Sequence, residues 1–172
     1  MTDTINKMRE LSLDKVTVNI CVGNDKPGMI KAEKLIKILT KKTPVKATAK
    51  RRLALWQIRP GLPIGYKVTL REQDAKDFLV WIFKSKGNTL KKSSLDAQGN
   101  FALGVAEYLD LSGMKYDADI GIMGFELMAT FTRPGFRIKS RRFKKAKVPQ
   151  RHKVTQEEVI EYVQNNFGVK VE

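Results

Sequence analysis

The sequence predicts an α+β fold in which a mainly antiparallel sheet carries helices packed on one face. Segments that alternate apolar and polar residues, as strands do, outnumber those with the apolar spacing of helices. Their order is not the regular strand–helix repeat that accompanies a parallel sheet. The 172 residues, 42% of them hydrophobic, suffice for one domain over residues 1–172. One face of the sheet is then left for a partner.

The chain is predicted to begin with a helix and a strand. Ile5, Met8 and Leu11 have the spacing of one helix face, and residues 15–22 alternate as a half-buried strand does. The apolar positions of residues 29–39 then predict an amphipathic helix. Lysines occupy its other face, so we expect this helix to be basic on its solvent side.

The middle of the chain predicts two further strands and a second helix. The strands are residues 45–49 and 64–71, and the connection 50–63 is a long basic loop. Residues 73–84 have helical periodicity, with aspartates in the first turn that suit the helix dipole. Residues 84–99 are polar and contain Gly and Ser, which predicts a loop.

The last part of the chain predicts two strands, a basic extension and a final helix. The strands are residues 101–106 and 124–133. The basic extension, at about 137–153, leads into the C-terminal helix. Thr155 and Glu158 have the spacing of a capping box, which marks where this helix begins.

The positive charge is concentrated in two stretches. The formal net charge is +15. Residues 34–71 contain eleven Lys or Arg and no acidic residue, and residues 133–153 contain ten Lys or Arg and again no acidic residue. Residues 93–132 have the opposite sign, with six acidic residues against Lys115. Two long cationic stretches without ion-pair partners of their own predict a surface that binds a polyanion.

Arginine and aromatic residues in these stretches favour RNA as the polyanion. The planar guanidinium group suits phosphate and can stack on bases. Trp56, Phe136 and Phe143 lie among the cations and can stack on unpaired bases, although aromatic side chains also commonly belong to a core. The sequence has no helix-turn-helix, zinc-finger or basic-zipper pattern, which favours RNA over DNA.

Few residues are suited to catalysis, metal binding or cofactor binding. His152 is the only histidine and Cys21 the only cysteine, so neither a His/Cys zinc site nor a Cys–His nucleophile is expected. Residues 121–124 lack the third glycine of a dinucleotide fingerprint, and there is no Walker sequence, so no cofactor is expected. Asp117 and Asp119 are the nearest approach to a catalytic carboxylate pair.

The sequence favours a cytoplasmic protein that does not span a membrane. The longest apolar runs, such as residues 78–83, are shorter than the roughly 20 residues that a membrane span needs. The N-terminus lacks the apolar segment of a secretory signal, and Cys21 has no partner for an internal disulfide.

Segments over nearly the whole chain match the pattern of a known family. They are residues 8–10, 15–23, 31–34, 44–47, 63–71, 99–104, 132–137 and 149–155. These segments resemble the family of large-subunit ribosomal protein five, the 5S rRNA-binding protein, and the last three resemble its archaeal and eukaryotic branch. The resemblance implies a structural protein, not an enzyme, that fastens 5S rRNA in the central protuberance of the cytoplasmic ribosome.

The resemblance also implies partners and contact residues. The partners are 5S rRNA, large-subunit rRNA, peptidyl-site tRNA, small-subunit ribosomal protein thirteen and other central-protuberance proteins. Asn19 and Thr69 match the family's positions on the sheet face that meets 5S rRNA. Lys42 replaces a glutamine of the family pattern, and Glu72 replaces a glycine that commonly follows the third strand.

The expected RNA contacts lie on the sheet, before the second strand and in the extension. They are Asn19, Lys42, Lys46, Thr69, Arg71, Arg137, Arg141, Arg142, Lys144 and Lys145. The loop 50–59 corresponds to the family segment that approaches peptidyl-site tRNA. Its expected contacts are Lys50, Arg51, Arg52 and Arg59.

Two functions of other classes remain open from the residues alone. One is an RNA-processing enzyme that holds a metal ion at Asp117 and Asp119, and the other is a nucleic-acid chaperone without sequence preference. Loss of turnover without loss of RNA affinity, on changing both carboxylates to alanine, would support the enzyme. Competition between 5S rRNA and random RNA distinguishes the chaperone. The acidic stretch 96–126 faces either a basic ribosomal protein or solvent.

Overall fold

The computed structural model describes residues 6–171, which form two sheets and four α-helices. The strands are β1 (Ser12–Cys21), β2 (Val45–Thr48), β3 (Pro63–Leu70), β4 (Thr89–Leu90), β5 (Phe101–Val105), β6 (Phe125–Thr132) and β7 (Lys170–Val171). The helices are α1 (Lys26–Thr40), α2 (Glu72–Ser85), α3 (Arg137–Ser140) and α4 (Gln156–Phe167). None of the helices in the described part has the length and apolarity needed to cross a membrane.

The main sheet has five strands in the order β2-β3-β1-β6-β5, and all its neighbours are antiparallel. The first strand in the sequence is therefore the central one. Thr17 of β1 lies opposite Thr69 of β3 on one side and Met128 of β6 on the other. The predicted α+β class with a mainly antiparallel sheet is confirmed.

The apolar residues of β1 set the side on which the helices pack. Val16, Val18 and Ile20 are buried, whereas the residues between them are only partly buried. The buried side chains belong to one core with Leu35 of α1 and Leu79 of α2. Each fully buried aliphatic side chain contributes about 1.5–3 kcal/mol, so this alternation holds the helices to one face of the sheet.

The core continues under α4 as a chain of aromatic contacts. The ring of Phe101 lies 5.8 Å from the rings of both Phe83 and Phe131, and Tyr162 lies edge-on to Phe131 at 5.6 Å. Val159 and Val163 of α4 are completely buried in the same core. Helix α4 therefore packs on the same face as α1 and α2.

The predicted opening helix is wrong over the described residues. The chain forms only one 3-10 turn, Lys7–Arg9, and β1 already begins at Ser12, which pairs with Thr132. Helical spacing of Met8 and Leu11 was outweighed by pairing with β6, which extends β1 towards its N-terminal end. Ile5, the remaining residue of this prediction, lies outside the described residues.

The predicted loop 84–99 contains structure that its composition does not indicate. Strand β4 forms a two-stranded parallel sheet with β7, in which Thr89 lies opposite Lys170. A 3-10 turn, Lys92–Ser94, follows β4. The pairing joins residues about eighty positions apart, so it depends on the packing of α4 rather than on local sequence.

Arg133 connects the end of β6, the extension and α4. Its side chain is only 7% exposed, and it donates hydrogen bonds to the backbone O of Lys153 at 3.1 Å and to the Glu158 carboxylate at 2.5 Å. Glu158 also accepts a hydrogen bond from the Thr155 backbone N–H at 3.0 Å, within the predicted capping box. One guanidinium group thus ties the extension to the start of α4.

Gly65 of β3 is predicted to be required for close strand packing. A Cβ at this position would lie 3.0 Å from the Cα of Cys21 and even closer to the backbone O of Ile20. We expect Gly65→Ala to lower the free energy of unfolding in urea by about 1–3 kcal/mol. Gly104→Ala is the matched control in the same sheet, because a Cβ there meets nothing within 4 Å. Equal effects of the two changes would contradict this explanation.

The contact between Arg133 and Glu158 is predicted to make stability depend on pH. Burial raises the pKa of Glu158, but the hydrogen bond from Thr155 and the interaction with Arg133 outweigh it, so this pKa is lowered. A lowered pKa contributes stability that is present at neutral pH and is lost as the pH falls below about 4.5.

We therefore expect Glu158→Gln to cost about 1–2 kcal/mol at pH 7, less than for a fully buried pair because the Glu158 side chain is 41% exposed. The difference from the unaltered protein should shrink towards pH 3 in urea unfolding experiments. Glu157→Gln, in the same helical turn, is the control. A difference that is constant with pH would show that the ion pair is not its cause.

Candidate nucleic-acid interface

The sheet face opposite the helices is bordered by the basic extension only at the end where β1 begins, and we call it the open face. Its first row runs across all five strands and consists of Val45, Lys67, Asn19, Glu126 and Gly104. The next row consists of Thr69, Thr17, Met128 and Ala102. The structure therefore brings Asn19 and Thr69 together in adjacent rows.

Short and polar side chains make the open face accessible to a flat partner. Thr17 and Thr69 offer hydroxyl groups, and Gly104 and Ala102 add no bulk on the outer strand. The Asn19 amide donates a long hydrogen bond of 3.4 Å to Glu126. Hydroxyl, amide and ammonium groups are thus available in one plane for hydrogen bonds to phosphate and sugar oxygens.

Lys42 and Lys46 do not share this face. Lys46 lies opposite Tyr66, whose side chain is buried on the helix side of the sheet, so Lys46 belongs to the opposite face from Asn19. Lys42 forms an ion pair with Asp74 at the start of α2. Both lysines are solvent-exposed, and their contact with RNA stays a prediction.

The connection between β2 and β3 is an ordered projection rather than an irregular loop. We call residues 49–62 the basic hairpin. Ala49 donates its N–H to the backbone O of Leu62 at 2.9 Å, and Leu53 and Ile58 exchange two backbone hydrogen bonds of 2.9 and 3.0 Å. These bonds hold its two arms side by side and present the tip away from the sheet.

The basic hairpin carries its cations on the arms and apolar side chains at the tip. Lys50, Arg51, Arg52 and Arg59 are all exposed and form no ion pair with carboxylates of residues 6–171. At the tip, Leu55 is 88% exposed and Trp56 63% exposed. The sequence prediction included Trp56 but not Leu55, and the signal for Leu55 is its place in the apolar run of residues 53–56 between the cations of residues 50–52 and Arg59.

The basic extension folds back on itself after α3. The N–H of Ala146 donates to the backbone O of Ile138 at 3.2 Å, and the Arg141 side chain donates to the backbone O of Lys144 at 2.8 Å. Arg142 lies over the ring of Phe143, with 5.4 Å between guanidinium carbon and ring centre. The cations of this turn, including Lys144 and Lys145, are all exposed.

Arg71 and Arg137 line one groove between the sheet and the extension. We call this space, with a volume of about 1060 Å³, the extension groove. Arg71 contacts Asp14 at 3.0 Å across the groove wall. Sequence reasoning did not assign the other cations of the lining, because they come from β1, the end of β6 and separate turns of the extension. They are Lys15, Arg133, Lys139, Lys147 and Lys153.

The two carboxylates considered for catalysis have structural contacts. Asp119 accepts a hydrogen bond from the ammonium group of Lys34 at 2.8 Å, and this contact lowers the pKa of Asp119. Asp117 accepts a hydrogen bond from the backbone N–H of Asp119 at 2.9 Å. Within residues 6–171, no three His, Cys, Asp or Glu side chains lie close enough together to hold a metal ion.

Comparisons with known proteins identify one family along almost the entire chain. Residues 6–59 match the family model of ribosomal protein L5, and residues 63–162 match the model for the C-terminus of the same ribosomal family. Strand β3 belongs to the second matched region, yet it lies between β2 and β1 of the first. The two regions therefore share one sheet.

The similar curated proteins include three archaeal ones, each named large ribosomal subunit protein uL5. The protein of Sulfurisphaera tokodaii is 44% identical over 171 residues, covering 99% of this chain and 97% of the relative. That of Picrophilus torridus is 44% identical, covering 99% and 98%, and that of Nanoarchaeum equitans is 43% identical, covering 95% and 97%. The resemblance found in the sequence is confirmed: this chain belongs to the ribosomal protein L5 family.

Proposed function

We propose that this chain binds 5S rRNA through the open face and attaches it in the central protuberance of the large ribosomal subunit. As a member of its family it is a structural component of the large subunit and a partner of rRNA, and it is not an enzyme. The observation that carries the finer proposal is an open face on which Thr17, Asn19 and Thr69 lie in adjacent rows, with a cation-rich segment at each of its ends.

The positions of these segments follow from the register of the sheet. The basic hairpin precedes β3, whose Gly65 lies opposite Cys21 at the end of β1. The extension follows β6, whose Thr132 lies opposite Ser12 at the start of β1. Strands rise by about 3.3 Å per residue, so the two cationic segments are roughly 30 Å apart, with the open face between them.

An RNA helix suits this arrangement better than B-form DNA does. The minor groove of A-form RNA is wide and shallow and displays 2′-hydroxyl groups, which donate and accept hydrogen bonds. A flat face with Thr17, Asn19 and Thr69 can reach such a surface, because its short side chains permit close approach. The cations at both ends then meet phosphates and supply affinity without selecting bases.

Two further contacts belong to the same proposal. The basic hairpin meets peptidyl-site tRNA, supported by exposed cations on its ordered arms. The acidic stretch 96–126 meets a basic protein, of which small-subunit ribosomal protein thirteen is the candidate that the resemblance implies. Asp96 and Asp110 are exposed in this stretch and form no ion pair within residues 6–171.

Blocking the open face is predicted to remove specific RNA binding. Thr69→Trp places a bulky side chain where close approach is needed, and we expect at least a tenfold loss of affinity for 5S rRNA. Thr89→Trp, at an exposed position of the other sheet, is the matched control and should change this affinity less than about twofold. Binding is measured by fluorescence anisotropy at salt concentrations from roughly 50 to 300 mM.

A size-matched unrelated RNA tests the specificity of that binding in the same salt series. The unaltered protein should keep its preference for 5S rRNA as salt rises, because hydrogen bonds to the open face are less screened than phosphate contacts. Equal affinities for both RNAs that fall together with salt would overturn the 5S rRNA proposal and favour the chaperone.

Removing the hairpin cations is predicted to separate tRNA binding from 5S rRNA binding. We expect the triple change Lys50→Ala, Arg51→Ala and Arg52→Ala to weaken tRNA binding about 3- to 10-fold in the peptidyl site of reconstituted large subunits. The affinity of the free protein for 5S rRNA should fall less than about threefold. The control is the triple change Lys76→Ala, Lys84→Ala and Lys91→Ala. Unchanged tRNA binding would show that the hairpin does not contact it.

A further inference from the structure

We propose that the extension groove binds a single-stranded segment of RNA, separately from the contact on the open face. This inference rests on the proposed function, because a ribosomal RNA would supply the strand. The groove lies at the end of the sheet where β1 begins and β6 ends. Lys15 and Thr130, which face each other across these strands, form part of its wall.

The lining of the groove has an uncompensated positive charge. It contains seven Lys or Arg side chains but one carboxylate, that of Asp14. Arg71 pairs with Asp14, and Arg133 pairs with Glu158. Among residues 6–171, the other five cations have no ion-pair partner, and they are Lys15, Arg137, Lys139, Lys147 and Lys153. Cations brought together without carboxylates repel one another unless an anion lies between them.

The groove is a built part of the fold rather than a gap beside a loose tail. Arg133 lines it and holds the extension through the backbone O of Lys153, while its own Nε is buried without a hydrogen-bond partner in the described residues. His152 contacts the backbone O of Pro134 at 2.8 Å, and its ring packs edge-on against Phe136 at 5.7 Å. These contacts fix the outer wall relative to the sheet.

Groups suited to bases lie among the cations. Phe136 is half-buried and presents an apolar ring, and Val148 adds apolar surface beside it. The side-chain amides of Gln98 and Gln150 have no hydrogen-bond partner in the described residues and can pair with base edges. A single strand can use phosphates and bases together, whereas a duplex hides its base faces. The volume of about 1060 Å³ exceeds that of most small-molecule clefts, which suits more than one nucleotide.

The test compares two triple variants of equal charge in the full chain. The groove variant carries Arg137→Ala, Lys139→Ala and Lys147→Ala, and the control carries Lys76→Ala, Lys84→Ala and Lys91→Ala. The probe is a labelled RNA of about ten nucleotides that cannot pair with itself. We expect the groove variant to bind it at least tenfold more weakly than the unaltered protein, and the control less than about threefold. The salt slope of the groove variant should fall by about 2.

A further variant separates base stacking from charge. Phe136→Leu keeps every cation, and we expect it to weaken single-strand binding about fivefold or more while leaving binding of an equally long duplex unchanged. Polyglutamate of equal charge should displace the RNA only at much higher concentration. Tighter or equal binding of the duplex, or equally effective displacement by polyglutamate, would overturn the proposal in favour of a duplex or an acidic protein.

Cross-linking keeps the test decisive if a variant folds poorly. A probe with 4-thiouridine should cross-link the unaltered protein within residues 130–154 or at Lys15, Arg71 or Gln98, which also line the groove, and cross-links confined elsewhere would overturn the proposal. The outcome for 5S rRNA is independent of this result. If the unaltered protein shows no preference for 5S rRNA but the groove variant still loses the single strand, the proposed function fails and the groove stands. If the unaltered protein prefers 5S rRNA but both triple variants lose the single strand equally, the proposed function stands and the groove proposal fails.

Discussion

The alternation of buried and accessible side chains along β1 is the constraint on which the other features of the structure depend. Because β1 is the central strand, its buried residues Val16, Val18 and Ile20 determine which face the helices cover. A slip of one residue would turn every side chain to the other face. Burying these three side chains contributes about 1.5–3 kcal/mol of stability each, so losing that burial makes the slip costly. Asn19 therefore lies on the open face because its neighbours Val18 and Ile20 are buried on the other.

Arg133 provides a second constraint at the end of the sheet. A guanidinium group that is only 7% exposed needs hydrogen-bond acceptors around it. Arg133 donates to one acceptor in the extension and to one in α4. Because removing one partner of such a contact leaves a buried charge, the pair specifies an arrangement more than it adds stability. The basic extension consequently leaves the sheet in a defined direction, although most of its own side chains are exposed.

Features with a local signal could be predicted from the sequence, and features that depend on distant pairing could not. The alternation of β3 and the capping box at Glu158 are local, and both are present. Sheet β4–β7 is not local, because each of its strands has only two residues. In the candidate site, the family resemblance implies that Asn19 and Thr69 share one face, whereas the face of Lys46 depends on its register with Tyr66.

One departure from the family pattern has a visible structural consequence. Glu72 stands where a glycine is common, and its φ of 54° lies in the left-handed region, which a residue with a Cβ adopts at a cost. The turn between β3 and α2 thus has a conformation that glycine adopts more readily than glutamate does. The resemblance identified the position, but the sequence did not show its backbone conformation.

The distribution of ion pairs divides the cationic stretch 34–71 into two functional parts. Four cations of this stretch pair with carboxylates that all lie outside it. The pairs are Lys34–Asp119, Lys37–Glu33, Lys42–Asp74 and Arg71–Asp14. Exposed pairs contribute only about 0–1 kcal/mol, yet they reduce the charge that is offered to a polyanion.

The cations of the basic hairpin have no such partners within residues 6–171, and neither do the exposed cations of the extension. Free charge is therefore concentrated at the two ends of the open face, while the rows between them carry one cation, Lys67, beside the hydroxyl and amide groups of Thr17, Thr69 and Asn19. Because phosphate contacts weaken steeply with salt and do not depend on sequence, the proposed function assigns affinity and selectivity to different parts of the molecule. Under that proposal, the separation is what lets a chain of net charge +15 distinguish one RNA from another.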